Sequence, residues 1–480
     1  TGFRTSVQMI EEHSVRTPYK VAIRQKRYGI WREITWADLS DIIRHLGAGL
    51  IMLGVKPGSK VGILSENRQE WVITQFAIQS IGATVVGMYP TSPAIEIEHF
   101  IRSSDTEFLF IEDQEQFDKI VEIGKQAKLE RLVVFDSKGL RDESFFGLLS
   151  FDELLLLGRK NSARHSDALT TWQSSISQED TALMVFTSGS TGLPKAAEIS
   201  HGNLYAACAL STQLFKELPQ DSNILSYLPL CHIAEQNMTV VTTLASCHTM
   251  NFGESLRTIT LDLRDVAPEL FFGVPRIWEK MQAGLMVEIK TAGPFKRYLT
   301  EFAIRSAMRG SKIPRSKWSL KQRLVYNFWD ALVYRHIRSY LGLGRVKIAL
   351  TAAAPISENL LVFLRSIGIN IREIWGMTET TGAASIQPAW GECAGRVGFF
   401  PEHISPKIAQ DGELLVKGPL VFKGYYQNKK ITSETIVDGW LHTGDIATEF
   451  PDGSFTIIDR KKDIMINSAG KNLSPLLIEN

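Results

Sequence analysis

Short apolar runs alternate with amphipathic stretches along the first third of the chain. Residues 61–64 read as a buried strand, 70–81 follow at helical spacing, and 84–89 form another strand. Pro90 ends it, because proline has no N–H to give a ladder. The same reading gives a helix over 96–101, a strand over 108–112, a helix over 116–125 and a strand over 132–136. Such alternation implies a mostly parallel sheet covered by helices. The middle third repeats the theme, with strands expected at 181–186, 223–228, 270–274 and 346–351. After residue 383 the texture changes. Short runs such as 412–417 and 454–459 are separated by Asp-Gly pairs at 411–412, 438–439 and 452–453. Asp-Gly between short runs predicts antiparallel hairpins, and hence a small barrel or distorted sheet.

Composition narrows the class without choosing a function. The chain has 480 residues, enough for about three domain-sized units. It is 44% hydrophobic and 22% charged, as a globular protein is. A formal net charge of +1 gives no global field for nucleic acid. No apolar run reaches the roughly 18 residues of a membrane span, and the first residues carry no signal-peptide pattern. Cys208, Cys231, Cys247 and Cys393 form no CxxC pair, which argues against a disulfide framework or a zinc site and for a reducing cytoplasm.

One segment is locally basic. Residues 309–347 hold ten Lys/Arg and a single acid, Asp330, with Trp318, Tyr326, Phe328, Trp329, Tyr334 and Tyr340 interleaved. Two readings fit: a solvated helix pair whose aromatics fill a core, or a peripheral surface for anionic lipid or for the phosphates of a large cofactor.

The sharpest chemistry lies in the string Thr187-Ser188-Gly189-Ser190-Thr191-Gly192-Leu193-Pro194-Lys195, entered from an apolar strand. Glycines allow close approach of backbone to an anion, hydroxyls and N–H groups donate to phosphate oxygens, and Lys195 adds a point charge. A Walker A loop is excluded, since Pro194 stands where its second glycine belongs. A nucleophile elbow is excluded by Phe186 in place of its first glycine.

This string resembles the phosphate-binding signature of the adenylate-forming superfamily, which includes acyl-CoA synthetases, peptide-synthetase adenylation domains and beetle luciferases. Trp375-Gly376-Met377-Thr378-Glu379 resembles its aromatic-Gly-x-Thr-Glu motif, and Thr351-Ala352-Ala353-Ala354-Pro355 its adenine-pocket turn. Trp440-Leu441-His442-Thr443-Gly444-Asp445 and Asp459-Arg460-Lys461-Lys462-Asp463 resemble its ribose and hinge motifs. All fall in family order. The resemblance implies ATP contacts from Thr187–Thr191, Gly192, Lys195, Ala353, Ala354, Pro355, Gly376, Met377, Thr378 and Ile457. It also implies adenine stacking on Trp375, ribose contacts from Asp445 and Arg460, and Mg²⁺ held by Glu379 and Thr187. Thr187, Lys195, His232, Thr378 and Glu379 are the implied catalytic group.

Two further likenesses narrow the branch. Residues 274–281, VPRIWEKM, and 438–462 resemble long-chain fatty acyl-CoA synthetases, with Ala447 and Glu449 departing from the usual Gly and Trp, and Ala196 from the usual Gly of the phosphate loop. Residues 226–235, SYLPLCHIAE, resemble the Leu-Pro-Leu-x-His segment in which His232 would border the carboxylate and a thiol tunnel. A hydrogen-bonded core histidine is the alternative.

The resemblance therefore implies an α/β fold. A large N-terminal domain over 1–458 would have two mostly parallel, helix-flanked sheets and a small β-barrel-like part over 383–458. A hinge would follow at 459–463 with Lys462 as its pivot, and 464–480 would begin a C-terminal lid. The lid's lysine has no counterpart here, so the chain as given is expected to bind ATP but adenylate poorly. The implied reaction is activation of a long-chain fatty acid with ATP and Mg²⁺, then thioester formation with coenzyme A. Transfer to an acyl carrier protein and non-catalytic adenylate binding are the alternatives.

Overall fold

In a computed structural model, the structure describes residues 2–140, 147–187, 192–310, 317–354, 356–391, 395–462, 465–466 and 472–473. Two eight-stranded sheets dominate. In the first, Thr181–Thr187, Thr84–Met88, Lys60–Leu64, Phe108–Ile111, Arg131–Val134 and Leu149–Ser150 run parallel. The edge beyond Thr181–Thr187 is antiparallel, formed by Lys195–Ser200 and then Gly424–Tyr425. In the second, Ile371–Met377, Ile348–Thr351, Leu270–Phe272, Asn223–Ser226, Thr249–Phe252 and Val21–Arg27 run parallel. Gly382–Ile386 and Ile30–Thr35 close its two ends antiparallel.

The expected strands are present with shifted ends. The 223–228 and 270–274 runs are shorter, at Asn223–Ser226 and Leu270–Phe272, because each chain turns away to build a loop. The hairpin Val21–Arg27/Ile30–Thr35 and the strand Thr249–Phe252 go beyond the expected set. The hairpin is polar along most of its length, as an edge can be.

Between the sheets lies the helix Gln69–Ser80, buried at every residue from Glu70 onward. It meets strands of both sheets, so it has no solvent face to keep polar. Its polar groups are paired instead: Gln75 Nε2 donates to Gln236 Oε1 at 3.0 Å, and Glu70 accepts from Arg68 Nε at 2.8 Å.

The β-rich C-terminal part is a five-stranded antiparallel sheet of Ser405–Ile408, Glu413–Lys417, Trp440–Glu449 and Ile436–Val437, with Phe455–Arg460 also paired to Trp440–Glu449. The Asp-Gly pairs turn as expected. Asp438 and Gly439 both have positive φ (52° and 78°), which fits a two-residue hairpin loop, and Gly412 and Gly453 sit at 85° and 80°. The 383–458 stretch also serves the large sheets, since Gly382–Ile386 extends the second and Gly424–Tyr425 the first.

Candidate functional site

The parallel strands of the second sheet end together. Asn223–Ser226 leads to the His232 loop, Ile348–Thr351 to Ala353 and Ala354, and Ile371–Met377 to Thr378 and Glu379. In open α/β sheets, ligands bind outside the carboxyl ends of the strands.

The phosphate-type loop is pinned at both ends. Thr187 and Lys195 face each other in the antiparallel register of their strands. Ser188, Gly189, Ser190 and Thr191 lie outside the described residues, as does Pro355. Gly192 is exposed with φ 153°. His99 donates from Nε2 to the Pro194 carbonyl at 2.8 Å, so the helix Ala94–Ser103 anchors the loop's exit.

From the loop a short chain of contacts reaches Glu379. Lys195 Nζ stands 5.6 Å from the Tyr425 ring centroid, within cation–π range. The Tyr425 hydroxyl donates to Glu379 Oε1 at 2.6 Å. Burial, then the Glu379 carboxylate, push the Tyr425 phenol upward, so it stays protonated as a donor. Sequence reasoning missed Tyr425 because its pairing to the strand Lys195–Ser200 is non-local.

Thr378 and Glu379 occupy a single 3-10 turn, 8% and 7% exposed. Phe422 N donates to the Glu379 carbonyl (2.9 Å), and Asn237 Nδ2 to the Thr381 carbonyl (2.8 Å). Gly376 is required here, because a Cβ at that position would lie 1.9 Å from the Gly382 oxygen. Met377 is half-buried beside it.

A second carboxylate is held beside the first motif. Trp375 Nε1 donates to Asp445 Oδ2 at 2.8 Å, and Arg460 Nε lies 3.0 Å from Oδ1. Arg460 also donates to the Thr443 carbonyl at 3.2 Å. Asp445 is 5% exposed, and burial pushes its carboxyl up while Arg460 opposes the shift. Trp375 itself is largely covered. The residue is 8% exposed, and its ring packs edge-to-face on Phe400 at 5.7 Å. What the structure gives it is the orientation of Asp445. Ile457 is half-buried, opposite Ala447 across the adjoining strands.

His232 caps the turn Ile233–Glu235, with Ala234 N donating to Nδ1 at 3.1 Å. Burial lowers its pKa, so the ring is neutral with its proton on Nε2. Behind it, Glu235 accepts from Ser226 and Thr239 hydroxyls, both at 2.6 Å, and from Leu228 N at 3.2 Å. Burial pushes Glu235 up to about 7. Asn67, in the loop between the strand Lys60–Leu64 and the helix Gln69–Ser80, donates to Ser226 Oγ and to the Leu228 carbonyl, and accepts from Leu230 N. Asn67 went unread in the sequence and Glu235, though within the segment 226–235, was given no role, because isolated polar residues carry no periodic signal.

Lys462 is exposed just past the strand Phe455–Arg460, whereas Lys461 is tied to Asp411 (2.7 Å) and Glu413 (2.9 Å). Among the described residues, no group of three His, Cys, Asp or Glu is placed to hold a metal by itself. A carboxylate such as Glu379 suits Mg²⁺, which takes one or two carboxylates and shares substrate phosphates.

The AMP-binding enzyme family matches this chain over residues 10–426. The chain belongs to the AMP-binding enzyme family. Among curated members, the long-chain-fatty-acid–CoA ligase FadD15 of Mycobacterium bovis is 31% identical over 98% of this chain and 77% of its own length. Among solved structures, the anthranilate CoA ligase AuaEII in complex with anthranoyl-AMP superposes with a TM-score of 0.74 at 18% identity, covering 99% of this chain and 82% of that one. The N-terminal domain of FACL13 from Mycobacterium tuberculosis gives 0.68 at 16% identity, covering 95% and 100%. These solved structures share the fold seen here.

Proposed function

We propose that this chain uses Mg·ATP to activate a long-chain fatty acid as its acyl-adenylate, and that the acyl group then passes to coenzyme A. Membership of the AMP-binding family supports the first step, and the likeness to FadD15, a long-chain-fatty-acid–CoA ligase, supports the acid and the thiol. The observation that carries the reading is a pair of buried carboxylates: Glu379, just past the strand Ile371–Met377 and held by Tyr425, and Asp445, within the strand Trp440–Glu449 and held by Trp375 and Arg460.

In this reading Asp445 accepts from the ribose hydroxyls and Arg460 steadies it, while Ala353, Ala354, Pro355, Gly376, Met377 and Ile457 border the adenosine. Ser188–Thr191, Gly192 and Lys195 cradle the phosphates, and Thr378 donates to the α-phosphate or the acid. Mg²⁺, held by Glu379 and Thr187, supplies charge neutralisation on the phosphates. One carboxylate oxygen bonds to the α-phosphorus in line as the bond to pyrophosphate breaks. The chain's work is positioning and charge stabilisation, with no covalent enzyme intermediate. The neutral His232 offers its Nε2 proton to the acid. Residues 459–463 form the hinge of this scheme: the strand is tethered at Lys461, so rotation falls on Lys462.

The test is calorimetric titration with oleoyl-sulfamoyladenosine, a stable mimic of the adenylate. We expect saturable binding, at least about tenfold tighter than the acetyl analogue and weakened about tenfold by Asp445→Ala. Equal affinity for the two analogues would remove the long-chain assignment, and binding indifferent to Asp445→Ala would remove the ribose site.

A further inference from the structure

Outside the nucleotide site, two helices carry exposed apolar side chains at helical spacing. On Pro294–Gly310, Phe295, Tyr298 and Phe302 are 79%, 65% and 50% exposed. Along Leu320–Trp329 and the turn that follows, Leu320, Leu324, Phe328 and Leu332 recur every fourth residue at 51–75% exposure. Residues three, four and seven apart share a helix face. The half-buried Trp329 bridges the two stripes: Phe302 lies 6.4 Å from Tyr298 and 5.8 Å from Trp329, which in turn lies 5.3 Å from Phe328. They therefore make one aromatic patch, of the kind that marks an interaction site when left uncovered.

The charge around this patch has one sign. Residues 294–340 contain eleven Lys/Arg and two acids, Glu301 and Asp330. Both acids are engaged: Glu301 with Arg297 (2.9 Å) and Arg305 (3.1 Å), and Asp330 with Arg338 (2.7 Å). Among the described residues, Lys296, Arg309, Lys321, Arg323 and Arg335 have no carboxylate partner and are exposed. Arg309 follows Phe302 by seven residues, and Lys321 adjoins Leu320 and precedes Leu324 by three, so cations stand along the apolar stripes. Arg323 also lines a surface groove of about 280 Å³ with Trp318, Tyr326 and Asn327.

We propose that this two-helix face docks on an anionic lipid surface, with Phe295, Tyr298, Phe302, Leu320, Leu324 and Phe328 entering the interface and the unpaired cations meeting headgroup phosphates. Charge complementarity selects this occupant. A second copy of the chain would set cations against cations, whereas an anionic bilayer offers both an apolar layer and a sheet of phosphates. The face takes in the helix Pro294–Gly310, beyond the basic segment 309–347 visible in the sequence. No described helix is long and apolar enough to cross a membrane, so the contact is peripheral. It rests on the proposed function only for its purpose, since a long-chain acid resides largely in membranes.

The experiment is co-sedimentation of the full chain with large vesicles, without ATP or acid, using phosphatidylcholine alone or mixed with phosphatidylglycerol. We expect binding to the anionic vesicles, a loss of about tenfold in neutral vesicles or at 0.5 M salt, and a similar loss for F302S/F328S. A charge variant, K321E/R323E/R335E, should lose the preference for anionic lipid. ATP binding in solution is measured on every variant. Retained ATP binding with lost vesicle binding supports the docking face, independently of whether the ligase reading holds. Vesicle binding indifferent to all of these changes overturns the proposal. So does a wild-type chain that ignores vesicles but forms a dimer abolished by F302S/F328S.

Discussion

Asp445 and Glu235 are both buried carboxylates, and their environments set them different tasks. Asp445 is opposed by Arg460 and by an indole N–H. Glu235 has neutral donors only and no cation, so burial dominates and raises it to about 7. A carboxyl raised in the folded state favours the protonated form there. Its contribution to stability is present below its ordinary pKa of 4.5 and is lost as pH rises toward 7. Wild-type protein should therefore lose stability relative to Glu235→Gln between pH 5 and 7, by at most about 1.4 kcal/mol per pH unit. Denaturant melts of the two proteins across that range check it, and a pH-independent difference would show that Glu235 is not raised. Acting through Ser226 and Leu228, Glu235 is a positioning group for the loop that carries His232.

Elements were legible where local chemistry decided them and blurred where distant pairing did. The strand–helix rhythm and the Asp-Gly turns were visible because turn residues and apolar runs act over a few positions. The helix Gln69–Ser80 was found by its apolar spacing, although its full burial means that it has no polar face. The hairpin Val21–Arg27/Ile30–Thr35 escaped because its charged residues interrupt any apolar alternation. Similarly, Gly424–Tyr425 is two residues long and gains meaning only through its register with Lys195–Ser200. The turn after Ile371–Met377 gives the clearest element-scale prediction. Gly376→Ala would press a methyl against the Gly382 oxygen, backbone against backbone, with no side chain free to yield. Unfolding should become easier by about 3 kcal/mol or more, read by thermal or denaturant melts. A change under about 0.5 kcal/mol would contradict the packing described.

At the scale of the whole molecule, the site is a junction between sheets. Lys195 and Tyr425 belong to the first sheet, Glu379 to the turn that follows a strand of the second, and Asp445 and Arg460 to the antiparallel sheet that follows. The motifs announced the residue types, and their order announced the family. That Tyr425 joins Glu379 to the phosphate loop, and that Trp375 spends its N–H on Asp445, required the fold. The account stands on the claim that this assembly joins an acid to AMP. The most direct measurement mixes the chain with stoichiometric ATP, Mg²⁺ and oleate and follows oleoyl-AMP by mass spectrometry in a single turnover, where even a slow reaction is read. We predict oleoyl-AMP and pyrophosphate in equal amounts, with Glu379→Gln slowing their appearance about a hundredfold or more. Intact ATP binding without any oleoyl-AMP would contradict the account.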